Sequence, residues 1–107
     1  MRSFASLRRT ADFNRLRQRG RRTATANLTV YRAQAASRDE RPLVGITVSR
    51  SVGTAVVRNR LRRRLAASLH ELLSPQARMR LLVVARPSAA TLPFSALGDE
   101  LRRALGA

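Results

Sequence analysis

The chain has 107 residues, 22 of them basic and 6 acidic, giving a formal net charge of +16, while 44% of its residues are apolar. Self-repulsion at this density opposes compaction unless a polyanion neutralises it, yet the apolar share is too high for a bare basic tail. One nucleic-acid-binding domain spanning residues 1–107 is therefore expected. Cysteine is absent, which excludes disulfides, a thiol nucleophile and a thiolate metal site and fits a reducing cytoplasm. No apolar run nears the roughly 20 residues of a membrane span, and the N-terminus lacks a secretory apolar core, so no membrane partner is expected.

In chain order, residues 1–6 read as a flexible tail that includes Phe4. Thr10 is placed to cap a short helix through Arg19, with Asp12 near its positive end and Gly20 as its stop. Ala26–Ala33 alternates, Leu28 and Val30 on one face and Asn27, Thr29 and Tyr31 on the other, as a strand does. There is room for a further strand near Arg22–Ala24. Ser37–Pro42 is a polar turn. Leu43–Val48 is a second strand with Val44, Ile46 and Val48 facing one way; Gly45 weakens it unless something must approach its backbone closely.

After the loop 49–53, Thr54 caps a long helix that runs to about Leu73 and stops at Ser74-Pro75. Met79–Ala85 is nearly all apolar, an interior strand covered on both faces. Thr91–Leu105 forms a last helix whose core stripe is Phe94, Leu97, Leu101 and Leu105. The elements add up to an α+β two-layer sandwich in the order α-β-β-α-β-α, with a sheet of about four strands. If the strands flanking the long helix are parallel neighbours, a right-handed connection is the default.

The long helix holds the densest signal. Val57–Leu65 contains five arginines and one asparagine in nine residues. At 100° per residue, Val57, Leu61, Leu65, Leu69 and Leu72 share one apolar stripe. Asn59, Arg60 and Arg63 point the opposite way, Arg62 and Arg64 lie on the flanks and Arg58 near the apolar edge. Guanidinium groups give paired, permanently charged donors that match phosphate oxygens. No acidic residue on this helix before Glu71 offsets them, so the face is expected to meet RNA or DNA.

These residues carry a resemblance. The string GITVSRSVGTAVVRNRLRRRL resembles the signature of the bacterial ribonuclease P protein subunit, an R-N-R helix preceded by a V-G-x-A-V turn. ADFNRLRQRGRRTATANLTVY is similar to that family's first helix, glycine and first strand, and LLVVARPSA to its last strand and the basic residue beyond. The similarity spans about residues 7 to 105. It implies a protein cofactor of a ribonucleoprotein whose RNA removes the 5′ leader from precursor tRNA, and a mixed sheet with a left-handed β-α-β crossover in place of the right-handed default.

The resemblance also implies roles. Arg58, Asn59, Arg60, Arg62 and Arg63, with Arg64 beside them, would face the catalytic RNA. Phe13 and Tyr31 match aromatics of a cleft for the single-stranded leader, Arg50 a basic position in the loop before the helix, and Arg86 one at the cleft's rim. Arg17 stands where a second stacking aromatic is usual; an ionic or guanidinium-stacking contact is expected in its place. The protein would be a monomer, one per RNA, binding no cofactor alone, with magnesium in the RNA-containing holoenzyme.

No nuclease chemistry is expected of the protein itself. Its acids, Asp12, Asp39, Glu40, Glu71, Asp99 and Glu100, are scattered, and His70 has no catalytic partner nearby in sequence. Metal ligands and catalytic residues are expected to be absent. The alternative is a small ribosomal-type protein or RNA chaperone that does not distinguish precursor from mature tRNA. A membrane-active cationic peptide is disfavoured, for no helix joins a long apolar face to interfacial tryptophans.

If about six duplex-like phosphates are neutralised, RNA affinity should fall on the order of 10³-fold between 50 and 200 mM salt. Filter binding across that range checks this, and a flat response contradicts it. Arg17→Phe should lower the salt slope of leader affinity if Arg17 touches leader phosphates.

Overall fold

The computed structural model describes residues 2–106. Five strands form one mixed sheet in the order β1-β4-β5-β3-β2. They are β1 (Ala5–Ser6), β2 (Arg21–Ala24), β3 (Leu28–Gln34), β4 (Leu43–Val48) and β5 (Met79–Ala85). β4 is parallel to both β1 and β5, and β3 is antiparallel to β5 and β2. Three helices accompany it: α1 (Thr10–Arg19), α2 (Ala55–Leu72) and α3 (Phe94–Ala104).

Strand alternation divides the apolar residues between two faces. Leu28 and Val30 of β3, Val44 and Val48 of β4, and Leu81, Val83 and Ala85 of β5 meet Leu61, Leu65 and Leu69 of α2 and Leu97 and Leu101 of α3. This is the main core, and each leucine fully withdrawn from water there contributes about 1.5–3 kcal/mol. Leu82 points to the opposite face, where Leu7 and Leu16 join it in a smaller cluster. The α+β class and mixed sheet agree with the sequence reading. The sheet has five strands rather than about four, and α1 adds a partial third layer on the face opposite α2 and α3.

The expected tail at residues 1–6 is not one from Ser3 onward; Met1 lies outside the described residues. Phe4 is only 7% exposed and belongs to the main core. Ala5 and Leu7 donate backbone hydrogen bonds to Pro42 and Val44 carbonyls, each at 2.9 Å. A two-residue strand has no period to read, so its signal was invisible without its partner.

Phe94 is a second correction. It was expected in the core stripe but is 43% exposed. Pro93 drives Leu92 to an extended conformation (φ −75°, ψ 141°), so a 3-10 turn over Pro87–Thr91 comes first and α3 starts only after the proline. Ala89 and Leu92 from that turn enter the core instead. The helix caps differ less. Thr54 does cap α2, its hydroxyl accepting from Val57 N–H at 3.4 Å, whereas Thr10 is the first residue of α1 and Arg9 precedes it without a side-chain bond.

Two buried carboxylates lock loops to the sheet. Asp39 accepts from Arg80 Nε at 2.9 Å and Nη2 at 3.1 Å and from Ala36 N–H at 2.9 Å, while Arg80 Nη1 reaches Asp12 of α1 at 3.1 Å. Hydrogen bonding from Arg80 holds the Asp39 carboxyl below its ordinary value, against the opposing effect of burial. Glu100 of α3 accepts from Thr25 Oγ1 at 2.6 Å, Asn27 Nδ2 at 2.8 Å and Asn27 N–H at 3.0 Å. That clamp starts β3 at Leu28 rather than Ala26. Burial alone would raise the Glu100 pKa, but the bonds from Thr25 and Asn27, aided by Arg103, outweigh it and the net shift is downward.

A depressed carboxylate stabilises the fold above its unfolded pKa, near 4, and that contribution disappears as pH falls through the lower folded value. Glu100→Gln is therefore expected to lower stability by about 1–3 kcal/mol at neutral pH. The wild-type advantage should shrink below about pH 4. Urea melts of both proteins from pH 7 to pH 3 measure this, and a constant difference across that range would refute it.

Candidate nucleic-acid interface

The first surface is α2. Its leucine seam is pinned to the sheet, and helical geometry then fixes where the remaining side chains point. Asn59, Arg60 and Arg63 are exposed, as the wheel requires, and Arg58, Arg62 and Arg64 are half-buried on the flanks. Arg62 Nη1 donates to Asn59 Oδ1 at 3.0 Å, and Arg64 Nη1 to the Leu92 carbonyl at 3.5 Å. The Arg58 Nε is buried without a hydrogen-bond partner. Val56, 72% exposed, sits among the charges three and four residues before Asn59 and Arg60.

Nothing neutralises this face. Among the described residues only Arg80 and Arg102 pair with carboxylates. Asp12 and Asp39 are held by Arg80, Asp99 by Arg102, and Glu100 by the loop before β3. The positive potential of α2 is thus left for an external anion.

The second surface is the part of the sheet that α1 leaves open. Pairing registers place Gly45, Leu82, Tyr31 and Arg22 in one row across β4, β5, β3 and β2, and Thr47, Val84, Thr29 and Ala24 in the next. Phe13 of α1 lies over Gly45. A Cβ on Gly45 would stand 2.6 Å from Phe13 Cε1, so only glycine admits the ring there. Phe13 and Tyr31 are half-buried against the same small cluster, each leaving part of its ring accessible.

Arginines border the platform. Arg86, just past β5, extends Nη2 to Thr29 Oγ1 at 3.4 Å. Val48 and Ala85 are register partners, so the exposed Arg50, in the 3-10 turn after β4, leaves the sheet at the same end as Arg86. Arg17 is exposed one helical turn beyond Phe13. Phe13, Tyr31 and Arg86 thus share one face, and Arg50 lies at the same end of the sheet as Arg86. The long helix lies on the other side of the sheet, its Arg62 and Arg63 reaching the β4 edge beside Phe13, and Arg64 alone of the six residues predicted on it binds a backbone carbonyl.

Arg22 was missed in the sequence. It lies opposite Tyr31 on the open face, a fact that strand alternation could have supplied once the register of β2 was known. Arg2 and Phe4 were also missed, having been assigned to a tail. The chemistry available is binding. His70 Nδ1 accepts the Ser3 N–H at 2.9 Å, and among the described residues no three His, Cys, Asp or Glu side chains lie together as a metal site. Among the described residues no helix is long and apolar enough to cross a membrane.

A family model described as Ribonuclease P matches residues 1–107. A ribonuclease P protein component of Acidothermus cellulolyticus is 43% identical over 101 residues, covering 94% of this chain and 84% of that protein. One from Mycobacterium sp. strain KMS is 38% identical over 98 residues, 91% of this chain and 83% of its own length. Among solved structures, a Staphylococcus aureus RNase P protein mutant with defective mRNA degradation activity matches with a TM-score of 0.84 at 25% identity, over 94% of this chain and 85% of that one. The Thermotoga maritima RNase P protein shares the fold, with a TM-score of 0.78 at 19% identity and 92% coverage of both chains.

The close seat of Phe13 on Gly45 gives a direct test. Gly45→Ala should displace the ring and lower stability by about 1–3 kcal/mol, as overpacking does. Shifted Phe13 ring resonances with a reduced melting temperature are the expected outcome; an unchanged spectrum would refute the contact.

Proposed function

This chain belongs to the ribonuclease P protein family, as the protein component of an endoribonuclease that matures tRNA 5′ ends with an RNA partner, and we propose how its two surfaces divide that work. The Arg58, Asn59, Arg60, Arg62, Arg63 and Arg64 face of α2 packs on the catalytic RNA. The Phe13 and Tyr31 platform, bordered by Arg17, Arg50 and Arg86, holds the unpaired 5′ leader of precursor tRNA. The observation that carries this division is a carboxylate-free arginine face on the α2 side of the sheet and an aromatic platform on the α1 side, with Arg62 and Arg63 reaching the strand edge between them. Duplex-like RNA is met through its phosphates, whereas a single strand needs stacking surfaces for its bases.

The protein acts as one copy per RNA in the cytoplasm and supplies no catalytic group. Magnesium belongs with the RNA, whose phosphates can approach a second RNA more closely once guanidinium groups offset their charge. The carboxylates of this chain are scattered, and Asp12, Asp39, Asp99 and Glu100 are held by neighbouring side chains, which supports that assignment. The family match does not favour a ribosomal-type protein or general RNA chaperone.

Reconstitution with a bacterial ribonuclease P RNA at low magnesium is the decisive measurement. Added protein should rescue precursor cleavage, and failure to rescue would sink the proposal. Arg60→Ala and Arg63→Ala should each weaken RNA binding by about 1.5–3 kcal/mol and flatten its salt dependence by roughly one phosphate. Phe13→Ala and Tyr31→Ala should cost about 1–3 kcal/mol each for substrates with a leader, and nothing for mature tRNA.

A further inference from the structure

The edge of β4 carries a feature that neither surface explains. After Leu7 donates to Val44, the chain turns away into α1, and among the described residues no strand covers that edge of β4 from Gly45 onward. A cavity of about 370 Å³ opens there, within the roughly 300–1,000 Å³ of small-ligand sites. It straddles the sheet edge. Gly45 and Phe13 line it from the α1 side, Ile46 and Ala66 from the α2 side.

Its remaining walls are the apolar Phe4, Leu7 and Val44, the hydroxyl-bearing Ser6, and three arginines. Phe4 contributes apolar surface, with the Arg2 guanidinium 5.7 Å above its ring centroid. Arg62 and Arg63 close the cavity from α2, and among the described residues no carboxylate side chain lines it. Arg2, Arg62 and Arg63 have no ion-pair partner among the described residues. An apolar recess rimmed by three guanidinium groups suits a flat base carrying a phosphate.

We propose that this edge cavity binds one unpaired nucleotide of the leader, its base against the apolar walls between Phe13 and Ala66 and its phosphate among Arg2, Arg62 and Arg63. The inference rests on the leader reading above and extends it. The strand continues from the open sheet face around the bare edge of β4 to α2. Arg62 and Arg63 then touch the substrate as well as the catalytic RNA, so the two RNAs are joined through the same pair of side chains. Apart from Ser6 the walls are apolar or cationic, so stacking and charge dominate over reading of the base.

The experiment uses the reconstituted holoenzyme and precursors whose leaders are shortened one nucleotide at a time, with mature tRNA as control. Ala66→Met fills the cavity without altering charge. It should abolish the affinity gained at one particular leader nucleotide, about tenfold, and leave mature tRNA and ribonuclease P RNA binding unchanged. Arg2→Gln, at an exposed position, should lower the salt slope of leader binding by about 0.7, one single-strand phosphate. If Phe13→Ala weakens leader binding while Ala66→Met and Arg2→Gln do not, the cavity is overturned and the leader reading stands. If leader trimming and Phe13→Ala are both without effect, the leader reading falls and the cavity with it. Should Ala66→Met fail to fold by circular dichroism, the Arg2→Gln slope decides alone.

Discussion

Seating Leu61, Leu65 and Leu69 of α2 against the sheet is the constraint on which the rest depends. A helix is a rigid cylinder, so burying one stripe fixes the direction of every other residue. Once those leucines are inside, Asn59, Arg60 and Arg63 must stand in water, whatever their mutual repulsion. The apolar burial that stabilises the core also holds the cationic face in place. Moving the helix to relieve the charge would expose the seam.

The few acids are placed where they do not weaken that face. Asp12 and Asp39 are drawn inward by Arg80, and Glu100 is used to fasten the loop before β3 to α3. A buried carboxylate needs donors, and each of these has them. Asp12, Asp39 and Glu100 thus serve the interior, while the arginines of α2 remain available at the surface. The same arrangement gives the molecule a weakness to acid, because protonating these groups loosens several segments at once.

Much of this was legible in the chain. The period of α2, its Thr54 cap and the alternation of β4 and β5 are local patterns, and the R-N-R string pointed to the family. A glycine inside a strand such as Gly45 is a local sign either of close approach or of no special role, and nothing local says that Phe13 is the visitor. Phe4 and Phe94 were exchanged, the first assigned to a tail and found in the core, the second assigned to the core and found exposed. Each error has the same origin. The fate of an apolar residue at an element's end is set by a neighbour distant in sequence, or by a proline that delays the helix.

The division between the two levels follows from the range of the forces. By itself the sequence determined the charge imbalance, the two faces of α2, most strand positions and the family, because hydrophobic periodicity, capping and charge density act over a few residues. Only the tertiary structure decided which side chains share a surface: Arg22 beside Tyr31, Phe13 over Gly45, and Arg2 facing Arg62 and Arg63 across a bare strand edge. Those neighbours arise from strand order and register, which are set by long-range pairing that no local pattern records.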